Sequence, residues 1–229
     1  AGPIDQRLKR DAFIENTTVF AIMLGLNDGG YQPTTPQIDS TYRTGYEHIL
    51  DSLHQRDPRT RITAIRPSPF DDVTAPPEFP GGYNTVMQHF ADVDQQLALE
   101  HDATFINLNP PVVSALEKAQ GVDPLIARLL LPDRVHPDPL AHWVMAEALL
   151  KGWNAPAIVS SVTIDAGAGR AMHLDNATVH GVQKSGSELR WTEIENGLPL
   201  PLLKENATTA LLLQIADIQK ALNQEPLVV

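Results

Sequence analysis

The chain has 229 residues, no cysteine, and 28 acidic against 17 basic side chains, for a formal net charge of −11. A hydrophobic share of 42% and a charged share of 20% are those of a folded globular protein and exclude a disordered one. The acidic balance argues against nucleic acid and anionic lipid as partners, no apolar run approaches the ~18–20 residues that span a bilayer, and the missing cysteines remove thiolate nucleophiles and Cys-based metal sites.

In chain order, residues 1–15 place Ile4, Leu8 and Ala12 at near-helical spacing among charges, which predicts the end of a helix leading into a strand. Thr17 to Leu24 is β-branched and apolar on both faces, the pattern of a central strand in a parallel sheet with helices on both sides. It runs directly into Gly25-Leu26-Asn27-Asp28-Gly29-Gly30, a tight turn. From Ile38 to His54 the apolar residues Ile38, Tyr42, Tyr46, Ile49 and Leu53 fall on one helical stripe. Arg61 to Pro67 reads as a short strand, and Ser68 to Tyr83 as a Pro- and Gly-rich loop. A helix over 83–101, a strand from Ala103 to Asn109 and a helical segment over about 110–130 follow. The loop Asp133-Arg134-Val135-His136-Pro137 precedes a helix from Leu140 to Leu150, started by Pro139.

After Trp153 the texture changes to short alternating runs separated by Gly, Asn and Pro. Strands are predicted over 157–165, 177–182, 188–195 and 208–216, with a short helix near 217–224 and a strand-like close at 225–229. The expected organisation is an α/β domain over 1–152 and a β-rich C-terminal extension over 153–229. With no initiator Met and no polar tail, both ends read as cut.

Strand alternating with helix argues for a parallel sheet, whose sites lie outside the C-terminal ends of the strands. The Asn27 turn occupies such an end. Taken singly, each motif has an ordinary explanation: Asn-Asp-Gly-Gly makes a good turn, and Asp133 and His136 could cap a turn and open a helix. Together, on loops of one such sheet, Gly25-Leu26-Asn27-Asp28 and Asp133-Arg134-Val135-His136-Pro137 resemble the third and fifth conserved blocks of the SGNH, or GDSL-type, esterases and acyl hydrolases. The resemblance covers roughly Thr17 to Gly152.

What the resemblance implies is a flavodoxin-like α/β/α sandwich that hydrolyses a carboxylic ester, lipolytic or carbohydrate-acetyl, through a serine nucleophile. Asn27 would then supply an oxyanion-hole N–H, His136 would be the general base, and Asp133 would set its tautomer. Gly25 and Asp28 would support the loop, Gly25 by letting the backbone turn and Asp28 by hydrogen bonds to it.

The family's first two blocks, a Gly-Asp-Ser turn carrying the nucleophile and a glycine supplying a second oxyanion N–H, precede this strand, and nothing before Val19 resembles either. Ser68 follows a strand but sits between prolines with no helix after it, unlike a nucleophile elbow. The nucleophile is therefore expected outside the chain and the sheet incomplete at its N-terminal side, leaving Val19–Leu24 as an apolar edge through which copies could associate. The fragment alone is expected to be inactive.

No cofactor is implied, and the other histidines lack the spacing of a metal site. The aromatic residues Tyr31, Phe70, Phe79 and Tyr83 lie on site-facing loops and are candidates to line an acyl or sugar pocket. The resemblance leans the compartment toward secretion or the periplasm of a bacterium. The rival expectation is a catalytically silent module that binds carbohydrate or protein through the region after Gly152, on a hydrolase-like scaffold.

Overall fold

A computed structural model describes residues 4–66, 68–199, 209, 210, 213, 215, 216 and 224–229. They form two compact units, Ala1–Gly152 and Trp153–Val229.

The first unit is α/β. Its elements are α1 (Ile4–Arg7), continued by a π-turn over Leu8–Ala12, β1 (Val19–Met23), α2 (Pro36–Arg56), β2 (Arg61–Ile65), α3 (Tyr83–Glu100), β3 (Thr104–Ile106), α4 (Asn109–Val122), α5 (Pro124–Ala127) and α6 (Pro139–Gly152). The strands make one parallel sheet in the order β1-β2-β3, with Val19 opposite Arg61 and Ile65 opposite Ile106. Parallel neighbours require a crossover between them, and α2 and α3 are those crossovers.

Helix starts follow local chemistry. The Thr35 hydroxyl accepts from Ile38 N at 3.2 Å and Pro36 occupies the first turn of α2. Tyr42, Tyr46, Ile49, Leu50 and Leu53 of α2 are buried, joining Val86, Met87, Phe90 and Leu97 of α3 and Ile22, Ile62 and Ala64 of the sheet in one core. β2 is buried at every position from Ile62 to Ile65, as a strand covered on both faces must be. On the second face Ile106 presses on Gly152 of α6 so closely that a Cβ there would lie 2.7 Å from Cδ1 of Ile106.

One expectation needs correction in this unit. The segment over 110–130 is two helices, because Asp123 leaves helical geometry and caps α5, accepting from Leu125 N at 2.9 Å and Ile126 N at 3.3 Å ahead of Pro124. β1 has the composition of a covered central strand, but the missing upstream blocks predict an apolar edge, and among the described residues it pairs with β2 alone, with Val19 and Met23 43% and 46% exposed. The cause is local. Phe20 and Ile22 face the α2–α3 core, while the alternate residues Val19, Ala21 and Met23 are exposed.

In the second unit β4 (Ser161–Asp165) pairs antiparallel with β5 (Arg170–Asp175) and parallel with β8 (Leu227–Val228). A ribbon of β6 (Ala177–Ser185) and β7 (Glu188–Glu195) accompanies them. β5 was not expected, since Arg-Ala-Met-His-Leu-Asp lacks the alternation that marks a half-buried strand. Within the expected strand over 208–216, Thr209, Ala210, Leu213 and Ile215 are helical, in keeping with the run of Ala, Leu and Gln there. The expected helix near 217–224 lies outside the described residues, apart from Gln224, which bridges to Ile158.

Candidate active site

Two loops at the C-terminal ends of the strands carry the residues singled out from the sequence. The first leaves β1. Gly25 has φ 117°, open to glycine and strained for any other residue, and its N–H donates to Asp28 Oδ2 at 3.0 Å. Asp28 N donates to Gly25 O at 3.1 Å and Gly30 N to Asn27 O at 3.2 Å, closing two successive turns. Asn27 stands exposed at their apex, and its Oδ1 accepts the Tyr31 hydroxyl at 2.8 Å.

Aromatic side chains support this loop from below. The Tyr83 hydroxyl donates to Leu26 O at 2.7 Å, and the Tyr83 ring lies so close to Gly29 that a Cβ would meet its hydroxyl oxygen at 2.5 Å. Tyr31 packs on Tyr83 at 4.9 Å between ring centroids and on Phe70 at 5.9 Å. Phe70 and Tyr83 are buried, so of the four aromatics proposed to line a pocket these two are supports.

The second loop carries the titratable pair. Asp133 Oδ1 accepts from His136 N at 2.7 Å and Val135 N at 3.0 Å, and Oδ2 lies 2.6 Å from His136 Nδ1. The backbone N–H of His136, then its ring, then the N–H of Val135 hold the Asp133 carboxyl well below the usual carboxylate range, so it is ionised at neutral pH. The His136 side chain is 81% exposed, which leaves Nε2 open to a reaction partner.

Arg134, between them, is the staple. It sits at φ 71°, and its guanidinium donates to Asp71 O at 2.9 Å, Asp72 Oδ1 at 2.7 Å and Glu78 Oε1 at 3.2 Å while lying 4.4 Å over the Phe70 ring. Asp72 also accepts from Asn84 N at 2.8 Å at the start of α3, and a Cβ on Gly82 would collide with its carboxylate. Downstream, Asp138 Oδ1 accepts from Leu140 N at 2.9 Å and Ala141 N at 2.8 Å, which fixes where α6 begins. A continuous set of contacts thus runs from Asn27 through Tyr31 and Phe70 to Arg134 and the Asp133–His136 pair.

Ser68 is buried, and among the described residues its hydroxyl has no hydrogen-bond partner. Among the described residues no group of three or more His, Asp or Glu side chains gathers as a metal site would require, and no helix is long and apolar enough to cross a membrane.

The family model of GDSL-like lipases and acylhydrolases matches residues 3–144, the span that holds both loops. The chain belongs to the GDSL-like lipase/acylhydrolase family. Among solved structures, it is similar to a gut microbial diltiazem-metabolizing enzyme (TM-score 0.75, 23% identity), covering 98% of this chain but only 55% of that one. It is also similar to a protein assigned as a GDSL-like lipase from Parabacteroides merdae (TM-score 0.53, 22% identity, 67% of each chain). A third likeness is to an alpha/beta hydrolase enzyme from the metagenome of Lake Arreo (TM-score 0.50, 17% identity, 66% of each chain). At these identities the likeness is one of fold. No curated protein matches the chain.

The two loops were legible from sequence, whereas their fastenings were not. Tyr31 is near enough to Asn27 to be suspected, but Tyr83 and Asp72 reach partners 57 and 62 residues away with no shared pattern.

Proposed function

We propose that residues 1–152 carry the general base, its carboxylate partner and one oxyanion donor of an SGNH-type serine ester hydrolase whose nucleophilic serine lies outside residues 1–229. The observation that carries this reading is the 2.6 Å contact between His136 Nδ1 and Asp133 Oδ2 on a loop of a family member. Nδ1–H donating to an ionised carboxylate leaves Nε2 with its lone pair, the tautomer that accepts a proton from a serine hydroxyl.

The serine oxygen attacks the ester carbonyl as its proton passes to Nε2, and the carbonyl oxygen becomes the oxyanion. The proton then goes to the departing alkoxide, leaving an acyl-serine, and water repeats the cycle to release the acid. Asp133 stays ionised throughout and stabilises the imidazolium. Asn27 offers its Nδ2–H to the oxyanion, a type of donor whose loss costs ~3–4 kcal/mol of transition-state stabilisation. The family and the exposed pair favour carboxylic esters, including acetyl groups on carbohydrate, as the substrate class.

Two observations support a nucleophile elsewhere. Ser68 is buried in the loop that follows β2, where its hydroxyl is closed off from solvent. The bare flank of β1 offers a place beside the Asn27 loop for a further strand, with Phe20–Leu24, Leu8 and Ile49 lining a groove of about 270 Å³ there.

The test is hydrolysis of p-nitrophenyl acetate. The 229-residue chain is expected to give no burst, and the product of the complete reading frame to be active, with His136→Ala lowering kcat by ~10³ or more. A burst from the chain itself, with an acyl group on Ser68 or any other of its serines, would refute the proposal. Inertness of the complete product would favour the silent carbohydrate- or protein-binding module.

A further inference from the structure

We infer that Tyr31 is a positioning residue that fixes which end of the Asn27 amide faces the reaction, an inference that rests on the reading of Asn27 as an oxyanion donor. A side-chain amide has one accepting end and one donating end, and a half-turn about its last torsion exchanges them. An oxyanion is stabilised only by the donating end, so a free Asn27 would present the repelling carbonyl oxygen part of the time. The Tyr31 hydroxyl donates to Asn27 Oδ1 at 2.8 Å. A phenol donates more strongly than it accepts, because its lone pair is shared with the ring, so this contact favours the arrangement that engages Oδ1. No described residue accepts from Nδ2, which is left for the substrate.

The backbone is arranged to make this contact. Tyr31 has φ 56°, a left-handed conformation that a bulky residue rarely adopts. Such strain persists only where the surroundings hold it, and here Tyr31 packs on the Tyr83 and Phe70 rings. Tyr83 in turn holds the same loop through Leu26 O and excludes any side chain at Gly29. The loop is thus clasped twice by aromatic hydroxyls: Tyr83 holds its backbone and Tyr31 its functional amide. A merely structural tyrosine would need the ring contacts and not the bond to Asn27.

The experiment uses the product of the complete reading frame and Tyr31→Phe, which keeps the ring and removes the hydroxyl. The expected result is a fall in kcat of about tenfold at unchanged KM, a fraction of the ~10²–10³ lost when an oxyanion donor is removed outright. In an Asn27→Ala background Tyr31→Phe should then cost nothing more. A wild-type kcat, or the full loss repeated on top of Asn27→Ala, would overturn the inference. A second readout needs no activity: the Asn27 side-chain ¹⁵Nδ2 resonance, assigned by its loss in Asn27→Asp, should move upfield in Tyr31→Phe as Oδ1 loses its donor. An unmoved resonance contradicts the inference even if the protein is inert, while a moved resonance with Asn27→Ala fully active would leave the contact standing and remove the catalytic reading of Asn27.

Discussion

β1 and β2 are five-residue strands paired side by side, and their burial runs opposite to their composition. Val-Phe-Ala-Ile-Met of β1 is apolar throughout, yet only Ile22 is buried; Arg-Ile-Thr-Ala-Ile of β2 contains a cation and a hydroxyl, yet is buried at four of five positions. The difference is one of neighbours: among the described residues β2 has a strand on each side and cover on both faces, and β1 has one strand and one covered face. An apolar side chain left in water forgoes ~25 cal/mol per Å². A strand this apolar is therefore suited to more cover than the described residues give it, in keeping with the proposal that the nucleophile lies outside residues 1–229.

The sharpest way to break the comparison is to charge each strand in turn. Ala64→Asp, in β2 at a position with 0% exposure, should unfold the first unit or cost on the order of 4 kcal/mol in urea denaturation, because it buries an unpaired carboxylate. Met23→Lys in the 229-residue chain should change stability by no more than about 0.5 kcal/mol. The same Met23→Lys in the product of the complete reading frame should cost several times as much if the proposed upstream strand is present; an equal small effect would mean that no such strand covers β1.

A second prediction concerns the end of β1. The Tyr42 hydroxyl donates to Asp94 Oδ1 at 2.8 Å and lies 3.4 Å from Leu24 O, tying the strand end to α3. Asp94 is fully buried, and burial pushes its carboxyl up to about 7. Its proton is held by the folded state and released by the unfolded one between pH ~4 and ~7, so stability falls as pH rises through that window and is level above it. Asp94→Asn should flatten this slope and gain about 3–4 kcal/mol at pH 8, with little change at pH 4. Urea denaturation at both pH values checks it, and a loss at pH 8 would contradict it.

The smallest expected effect is on association. The isolated chain should dimerise or aggregate through Val19–Leu24, as open apolar edges do, and Val19→Lys should shift size-exclusion profiles toward monomer. Full protection of the Phe20–Met23 amides from hydrogen exchange in a monomer would mean that another segment fills the edge.

The parts of this molecule legible in its sequence are those fixed by neighbours in the chain. Asp133 and His136 are three residues apart, so one turn brings them together, and the Asn27 loop needs only its own glycines and Asp28 to form. The α/β alternation of the first unit is written in the apolar spacing of α2 and α3. What could not be read depends on distant partners. Asp94 is buried because α2 brings Tyr42 over it, a partner 52 residues away, and the apolar pattern of β1 is that of a covered strand because composition does not state which neighbours are present. β5 forms because β4 offers it a partner, with little signal of its own.

The most direct test of the central claim, that the Asp133–His136 pair serves a serine outside residues 1–229, is covalent labelling of the complete reading-frame product with a fluorophosphonate, mapped by mass spectrometry. The account predicts one adduct, on a serine outside these 229 residues, and its near-complete loss in His136→Ala. An adduct on Ser68 or any other serine of this chain, or labelling that persists unchanged in His136→Ala, would contradict it.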